Sequence, residues 1–437
     1  MRRPGEPLLH DWIRPGDTVM WGQGTAEPLT LTRALVAQRA SVAGQGRVRV
    51  WVGLGFAGTL HPEHADFLDF VGYICGAAQR GLSQAGVLDV VPAHYSQLPD
   101  MIRTGALKVD VLMLQVPPPD VEGRFQLGLA HEYLGAALDV ARTVLVEVHP
   151  ELPQLQGGLS LGPERIAACF DARHPLVDAP VARSGPVEQA IAAHIAGLVE
   201  DGATLQVGIG AVPEAVYAAL VNHRDLGLHS GAVGDGIVAL AESGALTHAR
   251  KSLDPGVGVV GILLGGPRLR AFAHRNTSLS LRGTDYTHHP DVLAAQERLV
   301  AINAAIEVDL TGQVNAEVAD GVYVGAVGGA VDFLRGARRS RGGLPIVGLP
   351  AQAGARSRIV LNLGGPTSTS RADAGLIVTE YGVADLRDQP LSVRVRRMID
   401  IAAPEHREAL EREAFTLLPR AGAALDRAAS PPSPSGT

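Results

Sequence analysis

Residues 204–221 read TLQVGIGAVPEAVYAALV. Thr204–Gly208 is a short apolar run with the length of a buried strand, and AVYAALV predicts a helix directly after it. Gly208 and Gly210 permit a tight turn between the two. Backbone N–H groups at such a helix start offer a place for an anion or a carbonyl oxygen. Pro213 stands where the third glycine of a dinucleotide fingerprint would be, so the segment predicts a strand–turn–helix unit without that fingerprint.

The same alternation extends in both directions. Strands are predicted at Val48–Gly53, Val109–Val116, Thr143–Val148, Val257–Leu264, Val300–Val308, Pro345–Leu349, Arg358–Leu363 and Gly375–Thr379. Several are apolar on both faces, as parallel strands covered by helices must be. The expected class is therefore α/β with open, doubly wound sheets. Residues 172–187, ARHPLVDAPVARSGPV, are proline-rich and aperiodic and predict a boundary. Beyond it Val187, Ile191, Ile195 and Leu198 recur at helical spacing, with Ser184 and Pro186 suited to the first turn and Gly202 to the stop. Two similar domains are expected, 1–180 and 181–425, with a disordered Pro/Ser tail at 426–437.

Composition narrows the function classes. The 437 residues are 46% hydrophobic and 19% charged, with a net charge of −7. A weakly acidic chain has no general electrostatic attraction for nucleic acid or an anionic membrane. Lysine occurs only at Lys108 and Lys251, which leaves almost nowhere for a P-loop or Schiff-base lysine. Cys75 and Cys169 form neither a disulfide framework nor a CxxC pair, and no metal-ligand spacing is present. The basic N-terminus lacks the apolar core of a signal peptide, and Gly256–Gly265 is too short and glycine-rich to span a bilayer. A cytoplasmic location is the default expectation.

Several motifs bear on chemistry. GLGFAG at Gly53–Gly58 matches GxGxxG, but Pro62 and HPEHADF make a poor first helix, and no acidic residue stands near position 78. A glycine-rich loop is expected there rather than a nicotinamide site. LGLHSGAVGDG at Leu226–Gly236 places His229, Ser230 and Asp235 at the end of a strand, the edge where open α/β sheets bind ligands. His288 and His289 precede Pro290 in a loop, and adjacent histidines do not converge easily on one metal. AINAAIEVDLTGQVNAE at Ala301–Glu317 puts Glu307 and Asp309 near a strand end. The Gly325–Gly329 run, followed by helix Val331–Arg335, lets backbone approach a diphosphate or thioester oxygen.

These residues together resemble the acetyl-CoA hydrolase/transferase family, which includes 4-hydroxybutyrate and acetate CoA-transferases. The matching segments are AEP at Ala26–Pro28, TLQVGIGAVPEAV, LGLHS with the following DG, INAAIEVDLTGQVNAE, VGAVGGAVDFLRGA, and the long run GLIVTEYGVADLRDQPLSVRVRRMIDIAAPEHREAL. They lie in the family's order across nearly the whole chain. The resemblance implies two similar open doubly wound α/β domains of the CoA-transferase fold, with the site between them. It implies coenzyme A, as an acyl-CoA substrate, with a carboxylate as the second small molecule, no metal, and a homodimer or larger homo-oligomer. The family's mechanism is ping-pong: a glutamate attacks the thioester, forms a mixed anhydride, then a glutamyl-CoA thioester, and passes CoA to a second carboxylate. By the same resemblance Gln206, Gly208 and Gly210 lie at the site, and Gly325, Gly328 and Gly329 line the thioester and pantetheine arm.

One departure stands out. The family's nucleophilic glutamate directly follows its His-Ser or His-Thr pair, and here Gly231 follows His229 and Ser230, with Ala232 and Gly234 also altered. Glycine cannot form an anhydride. Three routes are open at this stage. Another carboxylate, Glu27, Glu307 or Asp235, replaces the nucleophile, although some relatives carry Gln at the Glu307 position. Alternatively, His229 or Glu27 holds a water for direct hydrolysis. Otherwise the chain binds acyl-CoA without turning it over, as a silent regulatory relative. No glutamyl-CoA adduct is expected within residues 229–236, and a Gly231→Glu substitution is expected to restore exchange if the rest of the site is intact.

Overall fold

A computed structural model describes residues 6–417, with side chains to residue 414; the expected Pro/Ser tail lies outside the described residues. The first sheet has seven strands: β1 (Thr18–Trp21), β2 (Val48–Val52), β3 (Leu68–Gly72), β4 (Leu88–Val90), β5 (Val111–Val116), β6 (Thr143–Val148) and β7 (Ala168–Asp171). Their order is β4-β3-β2-β1-β5-β6-β7, and every pairing is parallel. The second has eight: β8 (Thr204–Val207), β9 (Gly227–Val233), β10 (Gly258–Leu263), β11 (Leu279–Leu281), β12 (Leu299–Ala304), β13 (Leu344–Gly348), β14 (Leu376–Thr379) and β15 (Gly382–Asp385). They run in the order β11-β10-β9-β8-β12-β13-β14-β15, parallel except for the last pair.

Both sheets start in the middle and wind outward in two directions. Each therefore has a switch point, between β1 and β5 in one and between β8 and β12 in the other, where the ends of neighbouring strands diverge and leave a crevice. The buried faces follow from composition. All six residues of β5, VLMLQV, are buried, and so are all four of β8. One apolar core runs from Met20 through Leu112 and Val207 to Ile346 and Val378, so it spans both sheets.

Helices supply the cover. α1 (Leu29–Ala43) follows β1, and α2 (Pro186–Ala196) leads into β8. α2 buries Ile191 and Ile195, two of the four positions its spacing marks, together with Ala192, while Val187 is exposed and Leu198 lies beyond the helix; each isoleucine contributes on the order of 2 kcal/mol. Glu188 caps its start by accepting the Gly185 N–H at 2.8 Å. The helix ends at Gly197, earlier than the Gly202 stop read from sequence. The strand expected over Val300–Val308 breaks after Ala304; Glu307–Asp309 joins a separate three-stranded sheet. The run Arg358–Leu363 is strand only at Ile359–Val360, on that same small sheet.

The turn after β8 is built on Gly210, whose φ of +120° and ψ of −171° are open essentially to glycine alone. It caps α3 (Ala211–Ala219). Gly210→Ala is expected to cost about 1–3 kcal/mol of folding stability, read as a lower urea midpoint; an unchanged midpoint contradicts the assignment.

Candidate functional site

The C-terminal ends of both sheets face one cleft of about 710 Å³. The first half contributes Leu54 and Phe56 after β2 and Ile74–Ala77 after β3. The second contributes Gly208–Gly210 after β8, Asn303–Ile306 at the end of β12, and the 324–330 run. The cleft continues inward into a chamber of about 210 Å³, sharing Leu54, Gly208, Asn303, Gly328 and Gly329 with it. That chamber is lined by Gln23, Tyr73, Tyr95, Glu132, Gln206, Gly231, Ala232, His288 and Phe333, among others.

Gln206 and Asn303 sit side by side on β8 and β12, and their amides pair reciprocally at 3.0 and 3.3 Å. Across the chamber lies Glu132, the one carboxylate among its described lining residues. Gln23 Nε2 donates to both Glu132 oxygens at 2.9 Å, and Tyr95 O–H donates to Oε1 at 2.5 Å. The Gln23 amide is itself oriented, because its Oε1 accepts from the Leu54 N–H at 2.7 Å and the Tyr73 O–H at 2.8 Å. A backbone N–H can only donate, so this contact fixes which end of the amide faces Glu132. Three of the chain's seven tyrosines, Tyr73, Tyr95 and Tyr133, pack edge-on or tilted in this cluster.

Burial raises the Glu132 carboxyl to about 7, against the opposing effect of the Tyr95 and Gln23 hydrogen bonds. The groups acting on it are neutral donors, so nothing offsets desolvation as a nearby cation would.

Glu132 also departs from ordinary backbone geometry. Its φ is +43°, a region that costs a non-glycine residue about 1–3 kcal/mol. The surrounding main chain enforces it. Segment 129–132 leaves the first half and pairs with the second sheet: Leu129 O accepts from Leu263 N, His131 N donates to Gly261 O, and Glu132 O accepts from Thr284 N, at 2.9–3.0 Å. A Cβ built on Gly261 would lie 3.7 Å from Glu132 Cγ and 2.6 Å from Gly231 O, which places the acid beside that glycine.

The space next to Gly231 is occupied. A Cβ there would stand 2.7 Å from His288 Cε1 and 2.9 Å from Nε2. The His288 ring packs on Tyr95 and Phe333, with centroids 5.0 and 4.7 Å away, and its Nδ1 lies 2.8 Å from Thr287 Oγ1. A Cβ on Gly329 would meet the same ring, 2.6 Å from Nε2 and 2.9 Å from Cδ2. Burial, with His229 nearby, lowers His288 to about 3, so the ring is neutral.

The residues singled out from sequence separate into three groups. Gln206, Gly208, Gly231, Gly328 and Gly329 line the inner chamber, and Gly210, Asp235 and Gly325 line the outer cleft. Asp235 spends both oxygens on the Gly266 and Leu269 N–H groups at the start of a short helix. Ser230, His229, Glu27 and Glu307 fall outside both cavities. Ser230 is fully buried and donates to the Ala232 carbonyl at 2.7 Å. His229 is fully buried, lowered by burial to about 4, and donates from Nε2 to the Thr287 carbonyl at 3.1 Å. Glu27 lies behind the Gly53–Gly55 loop, where it accepts from Thr32 Oγ1, and burial raises its pKa. Glu307 accepts from Asn315 and the Gly364 N–H. GLGFAG runs into an irregular loop and a short 3-10 turn at Pro62–Asp66, so it opens no α-helix of its own. Gln23, Tyr95 and Glu132 carry no motif, and Asn303 lies in the Ala301–Glu317 motif without being singled out by it. The one available signal was an acid set among Leu129, Ala130, Tyr133 and Leu134.

Two open doubly wound sheets with a cleft between their C-terminal edges define an α/β fold of the CoA-transferase kind. RipA from Yersinia pestis has it, superposing with a TM-score of 0.90 at 31% identity over 95% of this chain and 97% of its own. The chain belongs to the acetyl-CoA hydrolase/transferase family: residues 8–161 match that family's N-terminal domain and residues 265–414 its C-terminal domain. It is 34% identical to the 4-hydroxybutyrate coenzyme A transferase of Clostridium kluyveri over 90% of this chain and 93% of the relative. It is 32% identical to the succinyl-CoA:cyclohexane-1-carboxylate CoA transferase of Geobacter metallireducens, over 90% and 91%. Among the described residues no helix is long and apolar enough to cross a membrane.

Proposed function

We propose that this protein moves coenzyme A between a short acyl-CoA and a carboxylate, by a route that does not use residue 231. The observation that carries the reading is the cleft itself. A broad outer part lined by glycine turns can take the pantetheine arm, and a 210 Å³ inner chamber is of a size for a small acyl group. The Gln206 and Asn303 amides at the junction offer donors to a thioester carbonyl. Family membership supports the same chemistry, since the relatives are named as CoA-transferases.

The filled space beside Gly231 favours a second reading, acyl-CoA binding without turnover. One assay separates the two. Purified protein is given acetyl-, butyryl- or 4-hydroxybutyryl-CoA with labelled acetate, and label entering the CoA ester is followed. Sustained exchange supports transfer. Saturable binding with no labelled ester supports the silent reading, and loss of thioester without exchange indicates hydrolysis.

A further inference from the structure

We propose that Glu132 is the carboxylate that takes up the acyl group and then coenzyme A in this chain, delivered from the first half of the molecule into the chamber beside Gly231. This inference rests on the CoA-transfer reading above. Three independent observations converge on it. Glu132 is the acid whose side chain lines the chamber. Its backbone is held in a left-handed conformation by pairing with the second sheet, and strain of this kind persists only where the surroundings over-determine it. Its two oxygens are set unequally: Oε1 accepts from Gln23 and Tyr95, while Oε2 takes only a share of the Gln23 N–H among the described donors. Oε2 is therefore the oxygen with lone pairs left for attack.

A purely structural acid would be expected to pair with a cation or to satisfy backbone N–H groups, as Asp235 and Glu307 do here. Glu132 does neither with its side chain. It faces a cavity, and its neighbours hold it without neutralising it. Its pKa near 7 keeps a substantial ionised fraction at neutral pH in a desolvated place, where a carboxylate is a stronger nucleophile than in water.

The step balances without an oxidant or a net proton. Oε2 attacks the thioester carbonyl, the C–S bond breaks, and CoA leaves as thiolate, giving an acyl-glutamyl anhydride. The thiolate then attacks the Glu132 side-chain carbonyl and expels the acyl group as its carboxylate, leaving a glutamyl-CoA thioester. An acceptor carboxylate attacks that thioester carbonyl, releasing thiolate and forming a new anhydride. Attack of thiolate on the acceptor carbonyl yields the new acyl-CoA and restores the Glu132 carboxylate. Gln23 and Tyr95 hold the second oxygen throughout and act as positioning residues.

The test uses the full chain. Wild type and Glu132→Gln are incubated with acetyl- or butyryl-CoA, treated with borohydride, digested and analysed by mass spectrometry, and acetate exchange is measured in parallel. The expected result is a CoA-dependent, borohydride-reduced glutamate at position 132 in wild type and none in the variant. Exchange should fall at least about a thousandfold, with the fold retained by circular dichroism. Glu132→Asp, one methylene shorter, should keep a measurable fraction of exchange. The assignment is overturned if Glu132→Gln exchanges within tenfold of wild type, if the adduct sits on another carboxylate, or if thioester is lost through Glu132 with no adduct. Wild type that binds acyl-CoA but neither exchanges nor traps also overturns it. Wild type that binds no acyl-CoA overturns the underlying function instead.

Discussion

A Gly231→Glu variant is expected to lose about 3 kcal/mol or more of folding stability and to lose CoA exchange rather than gain it. The reason is the His288 ring. The first carbon of any side chain at 231 would stand 2.7 Å from that ring, well inside contact distance. The ring is crowded, because Gly329 abuts its adjacent Nε2–Cδ2 edge while Tyr95 and Phe333 pack against it. From sequence, glutamate at 231 is expected to restore exchange only if the rest of the site is intact; His288, 57 positions away, is the reason to expect loss instead. Chemical denaturation of Gly231→Glu, of His288→Ala and of the double variant checks this. The double variant should recover part of the loss, a coupling that independent sites would not show. A single variant with the wild-type midpoint would sink the argument.

The second large effect is a pH dependence that belongs to Glu132. Its carboxyl is raised from 4.5 to about 7 in the folded protein by burial. Between those values the folded state keeps a proton that the unfolded chain has released. Stability supplied by the protonated acid is therefore complete below about pH 4.5 and is lost as pH rises towards 7, by about 3 kcal/mol at most. Glu132→Gln does not titrate, so its stability relative to wild type should rise across that window and level off above it. Melting temperatures of the two proteins from pH 4.5 to 8 report it; a constant difference would mean that Glu132 titrates as in water. In exchange kinetics the sign is opposite, since only the ionised form attacks, and kcat/KM should climb through pH 7.

Most of the scaffold was legible because long apolar runs leave few alternatives. Val109–Val116 and Thr143–Val148 read as buried strands, and the strands found there, Val111–Val116 and Thr143–Val148, are neighbours in the first sheet. The turn at Gly208–Gly210 was read with its helix. Short strands were not legible: TVMW at β1 is four residues between Asp17 and Gly22, too few to show a period, although it is central to its sheet. The floor of the site was hidden for a different reason. Gln23 and Glu132 are 109 residues apart and Tyr95 and Glu132 are 37 apart, and no spacing rule joins them. Motif reading directed attention to Glu27, Asp235 and Glu307; Asp235 is spent on backbone N–H groups, Glu307 on the Gly364 N–H and the Asn315 amide, and Glu27 on Thr32 behind the Gly53–Gly55 loop.

Main-chain hydrogen bonds tie the halves together on both flanks of the cleft. Cys75 N and Tyr95 N donate to Gly325 O and Gly328 O on one side, and segment 129–132 pairs along β10 on the other. Swinging the halves apart would have to break main-chain hydrogen bonds at both seams, so hinge opening carries an enthalpic cost that a cleft joined by side chains alone would not.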